Sequence, residues 1–150
     1  MDNFTAEGLF QQYQYTSNLI RRYLYHLKKE AGEGDFQHGQ GRLMRTLLQR
    51  GDVTQKQLAD EMRIRPASLS ELISKLEGKG LLTRSQNQQD KRVVNLRLTE
   101  EGTAVAQKLE QVQKDFGQNL FSELSEEESD SLYQILGKLT ASIERRMEEV

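Results

Sequence analysis

Apolar side chains recur at steps of three and four over most of this chain, and the period shortens to two only between residues 81 and 98. The pattern predicts a mainly helical protein with one short β segment. From about Thr5 to Lys29, Phe10, Tyr13, Ser17, Ile20, Leu24 and Leu27 mark one face of a long helix, which the run Ala31-Gly32-Glu33-Gly34-Asp35 ends. A second helix, about 39–49, buries Leu43, Met44 and Leu47 and closes at Gly51-Asp52. Thr54-Gln55-Lys56-Gln57 forms a capping box, in which the Thr54 hydroxyl accepts from the amide of Gln57 while the Gln57 side chain reaches back. It opens a short helix carrying Leu58, Ala59 and Met62.

Pro66 disfavours a helical conformation at the residue before it and suits the first turn of a new helix. The break therefore falls near Arg63-Ile64-Arg65, and a further helix starts at Pro66. In that helix Leu69, Leu72, Ile73 and Leu76 point inward, Ala67, Ser68, Ser70, Glu71, Ser74 and Lys75 point outward, and Gly78 and Gly80 end it. Residues 81–85 and 93–98 read as two strands around a polar loop, Gln86 to Arg92, giving a hairpin whose tip stands in solvent. Thr99 caps a long helix with Val105, Leu109, Val112, Phe116 and Leu120 on one side. Ser125 to Glu128 is a second capping box, opening a last helix with Leu132, Leu136, Leu139, Ile143 and Met147 in line.

At 150 residues the chain has the size of one domain. We expect an N-terminal helix and loop over 1–38, a compact lobe over 39–98 and C-terminal helices over 99–150. No run approaches the ~20 apolar residues of a membrane span, and no secretory signal opens the sequence, so a cytoplasmic location is expected. The absence of cysteine excludes disulfides, thiolate metal sites and thiol redox sensing. The net charge of −2 hides an asymmetry: residues 42–98 hold twelve Lys/Arg against six Asp/Glu, whereas residues 99–150 hold five against twelve. A basic middle beside an acidic end is expected where one part of a chain meets a polyanion.

Residues 54–98 thus combine a capped short helix, a tight turn, a second helix and a hairpin, the order of a winged helix-turn-helix. The second helix fits the ~12 Å major groove, and the hairpin reaches the backbone or minor groove beside it. Two other readings stand: a winged scaffold binding a protein partner rather than DNA, and a metal-responsive regulator. Leu58-Ala59, Ile64-Arg65-Pro66, the stretch Ser68 to Glu77, Gly80 to Arg84, and above all Asp90-Lys91-Arg92 with Leu98-Thr99-Glu100-Glu101-Gly102 resemble the MarR family of bacterial transcription regulators. The resemblance implies a homodimer binding palindromic operators, usually as a repressor, with a small molecule often releasing it. Arg65 departs from the family pattern, standing where many members carry a Ser/Thr cap.

The candidate DNA interface begins with Thr54, Gln55 and Lys56, at a helix start whose amides suit a phosphate. Arg65, Ala67, Ser68, Ser70, Ser74 and Lys75 follow on or beside the outer face of the second helix, with short or cationic side chains for phosphates and base edges. Glu71 either accepts from a cytosine amino group or is a plain solvated acid. Arg84 either packs on the hairpin or approaches the DNA backbone. At the tip, Arg92 is assigned to the minor groove, Asp90 to orienting it and Lys91 to phosphate; the competing reading is a surface ion pair.

Tyr13, Tyr23 and Phe36 are candidates for a ligand cavity, although aromatic residues at helical spacing also serve as core or interface. The two histidines are His26 and His38. His26 and Glu30 share a helical face, but with His38 they supply too few donors for a closed zinc site, so neither metal nor cofactor is expected. No nucleophile pattern points to an enzyme. The apolar stripes at both ends predict a homodimer through residues of about 5–30 and 103–148.

Overall fold

A computed structural model describes residues 5–32, 36 and 39–150. Its elements are α1 (Ala6–Glu30), α2 (Gln40–Arg50), β1 (Val53–Thr54), α3 (Gln55–Met62), α4 (Pro66–Gly78), β2 (Leu82–Gln86), β3 (Val94–Leu98), α5 (Glu100–Phe121) and α6 (Glu126–Glu148). They fall into two compact units, Met1–Gln113 and Lys114–Val150.

The helix boundaries follow from side-chain chemistry at their ends. Thr5 Oγ1 accepts from Gly8 N at 3.1 Å and starts α1. Both predicted capping boxes form. Thr54 Oγ1 accepts from Gln57 N at 3.1 Å while Gln57 Oε1 accepts from Thr54 N at 3.0 Å. Ser125 and Glu128 make the same exchange at 3.1 and 2.8 Å. Each box satisfies amides that a helix start otherwise leaves unpaired. α3 ends on Arg63 in the left-handed region, φ 52°, and Pro66 occupies the first turn of α4 behind the extended Arg65, which makes no side-chain cap.

The expected hairpin forms as β2 and β3, and the sheet adds a third strand to it, all antiparallel in the order β1-β3-β2. β1 pairs Val53 with Leu96 and Thr54 with Asn95; β2 pairs Leu82 with Leu98 and Gln86 with Val94. β1 holds two residues, too few to display an alternation, and Thr54 also caps α3. The added strand makes β3 the centre of the sheet, so the wing is anchored on both sides at its base.

One core fills the first unit. Leu43, Met44 and Leu47 from α2, Leu58 and Met62 from α3, Leu69, Ile73 and Leu76 from α4, with Leu82 and Leu96 from the sheet, are all at most 2% exposed. Each fully buried side chain of this type contributes roughly 1.5–3 kcal/mol of transfer free energy. In α5 the buried residues are Gly102, Ala106 and Leu109. The expected stripe of larger side chains thus gives way to small residues at its N-terminal end. A Cβ on Gly102 would lie 1.9 Å from the Leu81 carbonyl oxygen. Hydrogen bonds tie the same junction: Thr99 N donates to Leu81 O at 3.1 Å, Thr99 Oγ1 donates to Gly80 O at 2.7 Å, and Thr99 Oγ1 accepts from Gly102 N at 2.9 Å. Thr and Gly three residues apart therefore dock the start of α5 onto the end of the α4–β2 turn.

Neither α1 nor α6 has a buried residue. On α1, Phe10 and Tyr13 stand more than half exposed, and on α6 Leu139, Ile143 and Met147 are 49–69% exposed. Among the described residues no helix is long and apolar enough to cross a membrane.

Candidate nucleic-acid interface

α3 and α4 pack through the core, and the left-handed Arg63 turns the chain between them. Gln55 Nε2 donates to Ser70 Oγ at 2.8 Å, bracing the start of α3 against α4. This corrects the outward placement of Ser70: it is half-buried and already bonded, because the α3 start overlies the flank of α4 at that position. Ala67, Ser68, Glu71, Ser74 and Lys75 are exposed as expected. Glu71 is one end of an i,i+4 pair, its Oε1 lying 3.1 Å from Lys75 Nζ, so the acid is partly neutralised on the face it shares with small hydroxyls.

Arg84 turns neither along its own hairpin nor away from the protein, but onto α4. Its Nη2 donates to Ser74 Oγ at 3.0 Å and its Nε to Glu77 Oε2 at 3.3 Å. It thereby fastens β2 to α4. Thr54 spends its hydroxyl on the cap, whereas Lys56 and Arg65 stand exposed beside the face.

The wing tip is built on a local turn. Asn87 Oδ1 accepts from Gln89 N at 2.9 Å and Asp90 N at 3.2 Å, and Val93 N donates to Asp90 O at 3.0 Å. Asp90 Oδ1 accepts from both Arg92 N, at 3.0 Å, and Arg92 Nε, at 3.3 Å. The Arg92 side chain is 92% exposed, so this contact adds little stability and instead fixes the direction in which the arginine leaves the loop. Lys91 is exposed next to it.

A pair that sequence reasoning missed holds the base of the wing. Arg97 Nε donates to Asp52 Oδ1 at 2.6 Å, and Arg97 Nη2 donates to Asp52 Oδ2. The hydrogen bond from Arg97, more than its charge, holds the Asp52 carboxyl below the usual carboxylate range, and the same contact raises Arg97. The two lie 45 residues apart, and only the register of β1 on β3 brings them together.

The other candidates disperse. His26 Nε2 pairs with Glu30 Oε1 at 3.1 Å and its ring faces Tyr23 at 6.5 Å; His38 lies outside the described residues. Among the described residues no three His, Cys, Asp or Glu side chains gather to hold a metal ion. Tyr13 and Tyr23 are more than half exposed. Phe36 lines a cleft of about 440 Å³ within the first unit, accompanied by Tyr25 rather than by those two tyrosines.

Comparison with known proteins agrees with this geometry. The profile of the MarR family matches residues 36–94. The uncharacterized HTH-type transcriptional regulator YwhA of Bacillus subtilis (strain 168) is 27% identical over 99 residues, covering 66% of this chain and 71% of that protein. The HTH-type transcriptional repressor MdtR of the same organism is 28% identical over 102 residues, covering 68% and 66%. Among solved structures, the MepR–DNA complex of S. aureus superposes with a TM-score of 0.75 at 27% identity, covering 87% of this chain and 97% of that one. A capped α3, a proline-started α4 and a wing with Asp90 and Arg92 at its tip lie within the stretch 36–94 that matches the family profile, and over that stretch the chain is similar to the MarR family of winged helix-turn-helix transcription regulators.

Proposed function

We propose that this protein is a dimeric, non-catalytic repressor that binds palindromic operator DNA in the cytoplasm and is released by a small-molecule effector. Its reading surface is the exposed face of α4 with Arg65, Ala67, Ser68, Glu71, Ser74 and Lys75, flanked by Lys56 and by the wing tip. One observation carries the reading: Arg92 is almost wholly exposed at the wing tip and aimed by Asp90, which leaves its guanidinium available to an anionic partner. A narrow A·T-rich minor groove, with its concentrated negative potential, is such a partner. Ser70, Thr54 and Arg84 act from behind, holding α3, α4 and β2 in place.

The exposed apolar side chains of α1 and those of α6 each supply surface for a second copy of the chain. A two-fold dimer that reads a palindrome on one face needs its two α4 helices about one DNA turn apart, ~34 Å.

Affinity for operator fragments measured against salt tests this reading. Each phosphate contact adds about 0.9 to the slope of log affinity on log salt. Lys91→Ala should therefore lower the slope by about one unit per protomer, and Arg92→Ala should weaken binding with the fold intact by circular dichroism. Identical affinities and slopes for wild type and both variants would remove the wing from the interface and favour a protein partner.

A further inference from the structure

Gln55 from α3 holds α4 on one flank and Arg84 from β2 holds it on another. A third set of contacts comes from the connection between α1 and α2. Gly39, at φ 99° in a backbone region that glycine adopts readily, lays its backbone against the helix: a Cβ there would stand 3.3 Å from Leu72 Cδ1. Seven residues beyond Leu72, Lys79 ends α4 and turns back to the same connection. Its Nζ lies 4.6 Å from the centroid of the Phe36 ring and donates to Gln40 Oε1 at 3.3 Å. Seven residues make nearly two helical turns, so Leu72 and Lys79 share a flank about 10 Å apart. Two holds at that separation fix the tilt of a helix, where one would let it pivot.

The hold at Lys79 is built from unlike partners. Gln40, in the first turn of α2, is polar yet only 2% exposed, and a buried amide is costly unless bonded. The ammonium gives its side-chain oxygen a charged donor, and the negative face of the Phe36 ring attracts the same ammonium. Lys79 is itself an exposed residue, whose long side chain gives up rotamer freedom to stay there. The hold reaches the outer face of α4 through the backbone: Lys79 N donates to Lys75 O at 3.2 Å, so a shift at Lys79 disturbs the turn that carries Lys75.

We propose that Lys79 is a positioning residue for sequence recognition: clamped by Phe36 and Gln40, it sets the tilt of α4 and so governs how well the protein tells its operator from other DNA. The inference rests on the DNA-reading role proposed above for α4. It requires no contact between Lys79 and DNA. A tilted α4 still offers its cations, with those of the wing, to phosphates, which carry affinity for any sequence, but its side chains no longer meet the base edges.

The test compares two duplexes: one that the wild-type full chain enriches from a random-sequence library, and a scrambled duplex of the same composition. Lys79→Met keeps length but loses charge and donor, and Phe36→Leu keeps bulk but loses the ring face. Each should lower the ratio of enriched to scrambled affinity by about tenfold, with affinity for the scrambled duplex and its salt slope unchanged. Lys79→Arg, which retains cation and donor, should restore the ratio, and the double variant should be no worse than either single one, since both break one clamp. A merely destabilising change would lower both affinities together, and a lysine meeting phosphate itself would also flatten the salt slope by about 0.9. Either result would overturn the proposal, as would wild-type selectivity in Phe36→Leu.

Hydrogen exchange of the full chain without DNA reads the clamp directly. Amides from Leu76 to Leu81 should exchange faster in Lys79→Met and Phe36→Leu, and at the wild-type rate in Lys79→Arg. Unchanged exchange in the first two would overturn the clamp. Faster exchange in them, beside a wild-type protein that enriches no sequence, would strike the regulator reading and leave the clamp standing.

Discussion

Gly102→Ala is the sharpest test of how the sequence builds this fold. In an unobstructed helix the substitution stabilises by about 0.8–1 kcal/mol, since alanine has the better helix propensity. At Gly102 the new methyl would stand 1.9 Å from the Leu81 carbonyl oxygen, well inside any ordinary contact, and the obstacle is backbone rather than a side chain that could swing away. The start of α5 must therefore retreat, straining the hydrogen bonds from Thr99 N to Leu81 O and from Thr99 Oγ1 to Gly80 O. Overpacking strain of about 1–3 kcal/mol and about 1 kcal/mol for each of two weakened bonds, less the propensity gain, give a net loss of about 2–4 kcal/mol. Thermal unfolding followed by circular dichroism should show a melting temperature lower by about 5–15 °C for a chain of this size. Gly137→Ala is the control: Gly137 lies within α6, with nothing within 4 Å of its would-be Cβ, and should raise the melting temperature slightly. If Gly102→Ala melted at or above wild type, the close approach of α5 to the α4–β2 turn would be refuted.

Asp52→Asn should lower the melting temperature at neutral pH by breaking the pair with Arg97. Because the Asp52 carboxyl is depressed in the folded state, its contribution is present above the ordinary carboxylate value of about 4 and fades as pH falls below it; melting curves of wild type and variant should converge in acid, and a difference that grew on acidification would contradict the assignment. Arg84→Ala should cost little stability, about 0–1 kcal/mol for a partly exposed contact, yet weaken operator binding measured by fluorescence anisotropy, since β2 is then no longer fastened to α4. Leu139→Glu with Ile143→Glu should yield a monomer in sedimentation, as both side chains are about half exposed on α6; an intact dimer would exclude that face from the interface.

Most of the helical framework was legible because its signals are local. Thr54 with Gln57, and Ser125 with Glu128, announce helix starts within four residues, and Pro66 both ends one helix and begins the next. The tip contact between Asp90 and Arg92 was equally local. What escaped was set by tertiary register. β1 is too short to show a period, so Val53 was passed over and with it the meeting of Asp52 and Arg97. Ser70 fell on the outer face by helical angle, but the angle carries no knowledge of Gln55 reaching across from α3. The cleft beside Phe36 assembles Lys28 from α1 with Arg42 and Arg45 from α2, and no stretch of sequence displays that convergence. Tyr13 and Tyr23 were drawn to a cavity by their type, but in the single chain both are more than half exposed, and the cleft is lined by Phe36 and Tyr25 instead.

The two ties at the wing, Arg84 onto Ser74 and Glu77 and Arg97 onto Asp52, bear on how this protein would discriminate sequences it never touches. A wing fastened at its base to both the reading helix and the corner before α3 keeps a set distance between the α4 face and Arg92. Such a tool behaves like a caliper: the duplex, rather than the protein, must adjust whenever groove width or helical phase does not match. The elastic cost of that adjustment depends on the base steps lying between the two contacts. Operator preference should consequently extend to the spacer between major-groove and minor-groove contacts, with stiff steps penalised and flexible pyrimidine–purine steps tolerated.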